Sequence, residues 1–309
     1  PCIRCLQCYH VSTDHKNVQC SVNPRFNREK RVPLILPVTG HPKHLVIVGG
    51  GPAGITCALT ASRRGHQVTL LEKEPVLTGK LNIACHGEHK ADLRRFRDYL
   101  LTQLRKSSVT VHTGVLADTD VVRDLKPDAL VIAVGATPSR IPLPGVDGDN
   151  CIQISEFLQS PDTSLQHYII IGGGSVGCET ALDLAEKGKD VSIIEMADCL
   201  ASASNDLYRL ALSEHFARYD NLHTYLNSAC QSIDADGVNV LTNGASTHIS
   251  GDKVLLSLGF RPDAKQVSSL YGIVPDTYYV GDCERVATVA EAVNNAYFIG
   301  ANVFQEQDI

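Results

Sequence analysis

The chain has 309 residues, 43% of them apolar and 20% charged, with a formal charge of −6. That length allows two domains with buried cores, and the mildly acidic balance gives no reason to expect nucleic acid or an anionic membrane surface as partner. No apolar run reaches the ~18–20 residues of a membrane span, and no signal peptide is visible.

The chain starts with Pro1 rather than Met, and it reads as a piece of a longer polypeptide. Residues 1–40 lack a hydrophobic period and read as a loop-rich segment. Four of the chain's 11 cysteines, Cys2, Cys5, Cys8 and Cys20, fall here in a C-x2-C-x2-C-x11-C pattern. Thiolates at such spacing can converge on one ion or cluster, and four of them suit either tetrahedral zinc or an iron–sulfur cluster. Zinc ribbons use two separated pairs, whereas three bunched cysteines and a remote fourth fit a 4Fe–4S site better. His10 and His15 are substitute ligands or surface loop residues. A secreted disulfide scaffold would be short and would lack nucleotide folds, so a reducing cytoplasm is expected.

The apolar run Leu45–Val48 leads into Gly49-Gly50-Gly51-Pro52-Ala53-Gly54, a helix-forming stretch, Gly65, and a second strand ending in Thr69-Leu70-Leu71-Glu72. Lys90–Lys106 reads as an amphipathic helix, with Leu93, Phe96, Leu100, Leu101 and Leu104 near 3.6 spacing. Val109–His112 and Ala129–Val134 read as strands, and Pro138, Pro142 and Pro144 mark a linker. The first pattern then recurs. Tyr168–Ile171 precedes Gly172-Gly173-Gly174-Ser175-Val176-Gly177, a helix-forming stretch, Gly188, and Ser192-Ile193-Ile194-Glu195. First glycine to acid is 72−49 = 23 positions in one copy and 195−172 = 23 in the other. Leu207–Tyr219 reads as a helix, and Leu222–Tyr225, Gly237–Leu241 and Lys253–Ser257 as short strands. A late strand ends in Val280-Gly281-Asp282 and leads into the Ala-rich helix Val289–Val303.

The expected fold is α/β: two Rossmann-like nucleotide-binding domains, the second inserted in the first, behind a loop-rich iron–sulfur segment. The expected boundaries are 1–40 for that segment, 41–145 with 265–309 for the first domain, and 146–264 for the second.

Each glycine has a steric reason. The first allows the strand-to-helix turn, the second lets a pyrophosphate approach the backbone, and the third permits close helix–strand packing. The helix N-terminus then binds the anion. Glu72 and Glu195 stand where a carboxylate takes the ribose hydroxyls. No Arg follows Glu195, where Met196-Ala197-Asp198 stand, so the second site should prefer NADH to NADPH. Two dinucleotides on one chain suggest that one reduces the other. A redox-active Cys pair after the first motif is missing, because Leu77–Cys85 holds only Cys85. Cys57, Cys178 and Cys283 read as core residues, and Cys85 with His86 and His89 is a weaker metal candidate.

The chain resembles the C-terminal half of the iron–sulfur flavoenzymes related to Old Yellow Enzyme, a group that includes 2,4-dienoyl-CoA reductase and 2-enoate reductase. The resemblance rests on Pro1-Cys2-Ile3-Arg4-Cys5, Cys20-Ser21-Val22-Asn23-Pro24 with Arg28-Glu29, and the first glycine motif. It also rests on Ala133-Val134-Gly135-Ala136-Thr137-Pro138, Leu258-Gly259-Phe260-Arg261-Pro262 and Val280-Gly281-Asp282. Members often carry three residues between the second and third cysteines, where this chain has Leu6-Gln7, and Gly-Gly-Gln where it has Thr78-Gly79-Lys80.

The resemblance implies FAD in the first unit and NADH in the second. Electrons would pass through a 4Fe–4S cluster on Cys2, Cys5, Cys8 and Cys20 to FMN in an N-terminal (β/α)8 barrel of the same polypeptide. That barrel would reduce an activated C=C bond of a small unsaturated acid or thioester, and a homo-oligomer is possible. The implied FAD residues are Gly49, Gly51, Ala53, Gly54, Glu72, Lys73, Lys80, Leu81, Val115, Ala133, Val134, Gly135, Gly281 and Asp282. The implied NADH residues are Gly172, Gly174, Ser175, Val176, Gly177, Glu179, Glu195 and Gly259. No side chain need act as acid or base, because hydride passes directly between the cofactors. The alternatives are a trimethylamine dehydrogenase-like module with ADP in the first site, and a stand-alone NADH:acceptor reductase.

Overall fold

The computed structural model describes residues 1–9 and 18–304. His10 and His15 lie outside the described residues. The chain divides into two compact units, Pro1–Thr137 with Arg261–Ile309 and Pro138–Phe260, so the second is inserted in the first.

The expected boundaries near 145 and 265 shift to 137/138 and 260/261. The proline-rich stretch is not a free linker. Leu143 and Val146 pack against the core of the second unit, and the Pro144 carbonyl accepts the Ile233 N–H at 2.8 Å. The described residues among 1–40 pack onto the first unit. Ile3 and Val22 pack on the core of the first unit, and Val32 joins Tyr297 and Ala301. Arg4 pairs with buried Asp92. Arg28 Nη1 donates to Asn294 Oδ1 at 3.0 Å, while Asn294 Nδ2 donates to the Cys20 carbonyl at 3.0 Å.

The first unit is built on a parallel sheet in the order Thr277–Tyr279, Ala129–Ile132, His44–Val48, Gln67–Glu72, Thr110–Thr113. The inner strands LVIV and ALVI are buried on both faces, which is why they read as continuous apolar runs rather than alternating ones. Helix Pro52–Arg63 starts with proline at its first position, where the missing N–H costs nothing. Helix Ala91–Arg105 buries Phe96, Leu100 and Leu104 on one stripe. The last helix, Val289–Asn302, is held at its start by a Thr288–Glu291 capping box.

The second unit repeats the plan with Cys151–Gln153, Lys253–Leu256, His167–Ile171, Asp190–Ile194 and Leu222–Tyr225 in parallel. It adds an antiparallel sheet of Ser228–Asp234, Gly237–Thr242 and Ala245–Ser250. Two of these strands, SACQSID and ASTHIS, escape sequence reading because they place few apolar residues, Ile233 and Ile249 among them, on the core. The hairpin turn that joins Gly237–Thr242 to Ala245–Ser250 is Asn243-Gly244, both at positive φ (50° and 86°).

The last helix packs against Pro52–Arg63 at Gly300, where an added Cβ would lie 2.6 Å from the Cys57 carbonyl oxygen. Gly300→Val should therefore lower stability by ~2 kcal/mol, the usual cost of overpacking. An unchanged thermal midpoint would show that the two helices do not meet this closely.

Candidate functional site

The first cradle is made by the end of strand His44–Val48 and the start of helix Pro52–Arg63. Gly49 has φ +114°, and a Cβ there would fall 2.2 Å from the Ala133 carbonyl oxygen. A Cβ on Gly54 would fall 1.9 Å from the Gly49 carbonyl oxygen. These two glycines are demanded by backbone meeting backbone. Gly51 differs: nothing lies within 4 Å of its missing Cβ, so the space over the helix N-terminus is open to a ligand.

The second cradle repeats this. A Cβ on Gly172 would meet the Ser257 carbonyl oxygen at 2.3 Å, one on Gly177 the Gly172 carbonyl oxygen at 2.3 Å, and one on Gly174 nothing. The residue six past each acid also corresponds. Thr78 and Ala201 both have positive φ, 77° and 48°. Their N–H groups donate to the carbonyls of Gly50 (2.7 Å) and Gly173 (2.8 Å). Nothing in the side chains of Thr78 and Ala201 announces this shared turn.

The acids do more than the sequence reading asked of them. Glu72 Oε2 accepts the Gly50 N–H at 2.7 Å, and its Oε1 accepts the Glu74 N–H at 2.8 Å. Glu195 accepts the Gly173 N–H at 2.6 Å and the Ala197 N–H at 2.8 Å. Each carboxylate thus ties the glycine turn to the end of the second strand. Each oxygen keeps lone-pair capacity for a ribose hydroxyl.

The remaining candidates of the first site fall as follows. Ala133 and Val134 line the turn beside Gly49. Gly135 (φ +76°) and Gly281 (φ +75°) are left-handed, and a Cβ on Gly281 would lie 3.0 Å from Ala53 Cβ. Lys80 Nζ lies 2.5 Å from Asp282 Oδ2. Val115 donates its N–H to the Glu72 carbonyl at 2.9 Å. Leu81 is 3% exposed in the apolar core, so its side chain serves packing. Lys73 is exposed.

In the second site Ser175 Oγ lies 2.8 Å from Ser204 Oγ, and the Tyr208 hydroxyl donates to Glu179 Oε1 at 3.0 Å. Burial, then the Glu179 charge, push the Tyr208 phenol far above its ordinary range, so it stays a donor. Sequence reading missed Ser204 and Tyr208. They arrive on the loop and helix after the strand Asp190–Ile194, a placement no motif encodes. Val176 stands 40% exposed at the mouth, and Gly259 is left-handed at φ +74°.

The cysteines divide sharply. Burial pushes the Cys57 and Cys178 thiols up to about 12, and those of Cys151 and Cys230 up to about 11. Cys85 and Cys283 are raised by the same cause. Cys2, Cys5 and Cys8 are exposed, and all 11 are free thiols. The Arg4 N–H donates to Cys2 Sγ at 3.3 Å, and Cys5 Sγ lies 3.1 Å from Ser21 Oγ. Backbone donors and hydroxyls turned toward sulfur suit thiolate ligands.

Among the described residues, no group of three or more His, Cys, Asp or Glu is arranged to hold a metal ion. A cysteine loop without a core of its own takes its final geometry from metal–thiolate bonds. Arg4 and Leu6 turn the backbone beside these cysteines at positive φ (49° and 57°). No described helix is long and apolar enough to cross a membrane.

Duplicated glycine cradles, each tied to an acid at the end of the next strand, define a two-dinucleotide α/β protein. The chain belongs to the pyridine nucleotide-disulphide oxidoreductase family, whose profile matches residues 43–296. That family uses FAD and NAD(H). The chain is 33% identical to NADH oxidase of Thermoanaerobacter brockii over 294 residues, covering 91% of this chain and 44% of that protein. It is 28% identical to cinnamate reductase of Clostridium sporogenes over 306 residues, covering 98% of this chain and 45% of that one. The solved 2-naphthoyl-CoA reductase superposes with a TM-score of 0.91 at 27% identity, covering 98% of this chain and 46% of that chain. The chain thus spans less than half the length of these relatives.

Two measurements check the site. Glu195→Gln keeps one acceptor oxygen for the turn but removes the charge. The preference for NADH over NADPH should fall about tenfold, as expected when a carboxylate no longer repels a 2′-phosphate; an unchanged ratio would refute that role for Glu195. Brief alkylation of chelator-treated, metal-free protein at neutral pH, read by mass spectrometry, should label Cys2, Cys5 and Cys8 before Cys57 and Cys178. Early labelling of the buried pair would contradict their environment.

Proposed function

We propose that this chain is the NADH-oxidising, electron-input part of a larger reductase acting on activated C=C bonds. The observation that carries the reading is the duplicated cradle, whose two copies agree down to individual hydrogen bonds. FAD would be held in the first cradle over Gly51, with Glu72 beneath it and Lys80 and Asp282 at its rim. NADH would be held over Gly174, with Glu195 and the Glu179–Tyr208 pair flanking it. Cys2, Cys5, Cys8 and Cys20 would hold a 4Fe–4S cluster, a reading supported by their spacing and by the donors facing Cys2 and Cys5.

When bound, FAD takes two electrons as hydride from NADH, and a cluster passes single electrons onward. The residues of this chain position and screen these groups. The helix starting at Pro52 and the one starting at Ser175 direct N–H groups and a positive dipole end at a diphosphate. The cysteines on the two motif helices, Cys57 and Cys178, are buried and held protonated. An unsaturated acid or thioester as final substrate is supported by the likeness to the cinnamate and 2-naphthoyl-CoA reductases. The FMN barrel that would bind it belongs to the same proposal, as does a cytoplasmic setting.

An anaerobic visible spectrum with iron and sulfide assays tests this on the protein purified with its partner domain. Flavin bands and a broad iron–sulfur shoulder, both bleached by NADH, are expected, with about four irons per chain as a cubane cluster requires. Flavin bleaching without iron would remove the cluster from the reading. A first site that holds ADP and no flavin would overturn the electron-input role.

A further inference from the structure

Among the described residues 17 large apolar or aromatic side chains are exposed, and six of them, Leu6, Tyr9, Phe26, Leu34, Ile35 and Val38, lie in the first 40 of 309 positions. Apolar exposure is therefore concentrated on this one segment. Its strongest point is Leu34, Ile35 and Val38, which stand 78%, 82% and 71% exposed in a single short stretch. Scattered apolar residues on a surface mean little, but a contiguous group marks a contact face.

The backbone beneath this face is pinned, so the three side chains are held outward. Asn294 Nδ2 donates to the Cys20 carbonyl at 3.0 Å, and the Arg28 guanidinium lies 5.3 Å from the centre of the Phe298 ring. Val32 packs with Tyr297 and Ala301, and Leu36 joins them. Thr39 then donates its N–H to the Arg64 carbonyl at 2.8 Å. The segment thus follows the last helix from Asn294 to Ala301, about two turns or ~10 Å. Pro33 and Pro37 fix their own φ and hold the residues before them extended, which keeps the stretch from coiling over its apolar side chains. The flanks are basic: Lys30 and Arg31 before the face and Lys43 after it are exposed, against one acid, Glu29, in a chain of net charge −6.

We propose that Leu34, Ile35 and Val38 form the docking face for the remaining half of a polypeptide of its relatives' length. The chain is matched over 91–98% of itself but covers only 44–46% of those relatives. The partner surface is apolar with an acidic rim, complementary to Lys30, Arg31 and Lys43. A second copy fits less well, because a two-fold contact sets this basic rim against itself. Docking here brings the partner within about two helical turns of Cys20, one of the four candidate cluster ligands. The face that closes the apolar patch therefore also shortens the path of electrons leaving this chain. This deepens the electron-input reading and rests on it for the identity of the partner.

The test is covalent side-chain labelling by a photogenerated carbene, read by mass spectrometry, on the full-length polypeptide that contains this chain. Leu116 and Leu210, 62% and 59% exposed, serve as internal references. Leu34, Ile35 and Val38 should be labelled about fivefold or more below them, as for side chains in the core of an interface. Ile35→Asp places an unpaired carboxylate in that core and should bring Leu34 and Val38 to within about twofold of the references. Wild-type labelling equal to that of the references would overturn the proposal. So would protection that persists in Ile35→Asp, or protection lost on dilution, which would assign the face to a second copy. Bleaching of flavin by NADH, read on the same samples, separates this inference from the reading it rests on. Protection without bleaching removes the electron-input role and leaves the docking face; bleaching without protection does the reverse.

Discussion

Everything in this chain depends on a backbone approach that a single methyl group would prevent. At Gly49 and Gly172 the turn leaving the first strand runs against the carbonyl of the strand beside it, with 2.2 and 2.3 Å to an added Cβ. At Gly54 and Gly177 the helix is pressed onto the turn it has just left. With those contacts in place, the helix N-terminus is aimed outward over Gly51 and Gly174, where no side chain intrudes. The anion site is thus a consequence of steric necessity in two places and of emptiness in a third.

The acid at the end of the next strand completes the device. A turn of three glycines has much conformational freedom to lose on ordering. Glu72 and Glu195 each accept two backbone N–H groups, one from the glycine turn and one from the residue two beyond the acid. Hydrogen bonds to a charged group are worth ~1.5–3 kcal/mol, enough to hold such a turn in one shape. The same carboxylate can then serve architecture and ribose recognition together.

Much of this was legible in the chain itself, because the requirements are local. Two glycine motifs, each 23 residues ahead of an acid, imply two cradles with only covalent geometry to connect them. The insertion of one unit in the other was legible as well, though its edges were not. Leu143 and Val146 look like linker residues until a core is available to receive them. Other features were hidden because their cause is tertiary. Tyr208 meets Glu179 only through the loop that brings the helix Asp206–Phe216 onto the second motif helix. The polar strands Ser228–Asp234 and Ala245–Ser250 gain their pairing from a neighbour rather than from their own composition. The cysteine loop lies at the far end of this scale, since a spacing can nominate ligands but cannot arrange them.

The two cradles are alike in their frames and unlike at their rims, and the division follows chemistry. Their frames agree in the glycines, the acids and the left-handed turns at Thr78 and Ala201. FAD and NADH have an adenosine diphosphate half in common, so a common frame suits both. The rims differ: the first carries a charged pair, Lys80 and Asp282, while the second carries hydroxyls, Ser175 with Ser204 and Tyr208 on Glu179. The parts of the two dinucleotides that are not shared must be distinguished by whatever the frame does not fix. The anion site occurs twice, and the side chains at the rims are where one copy differs from the other.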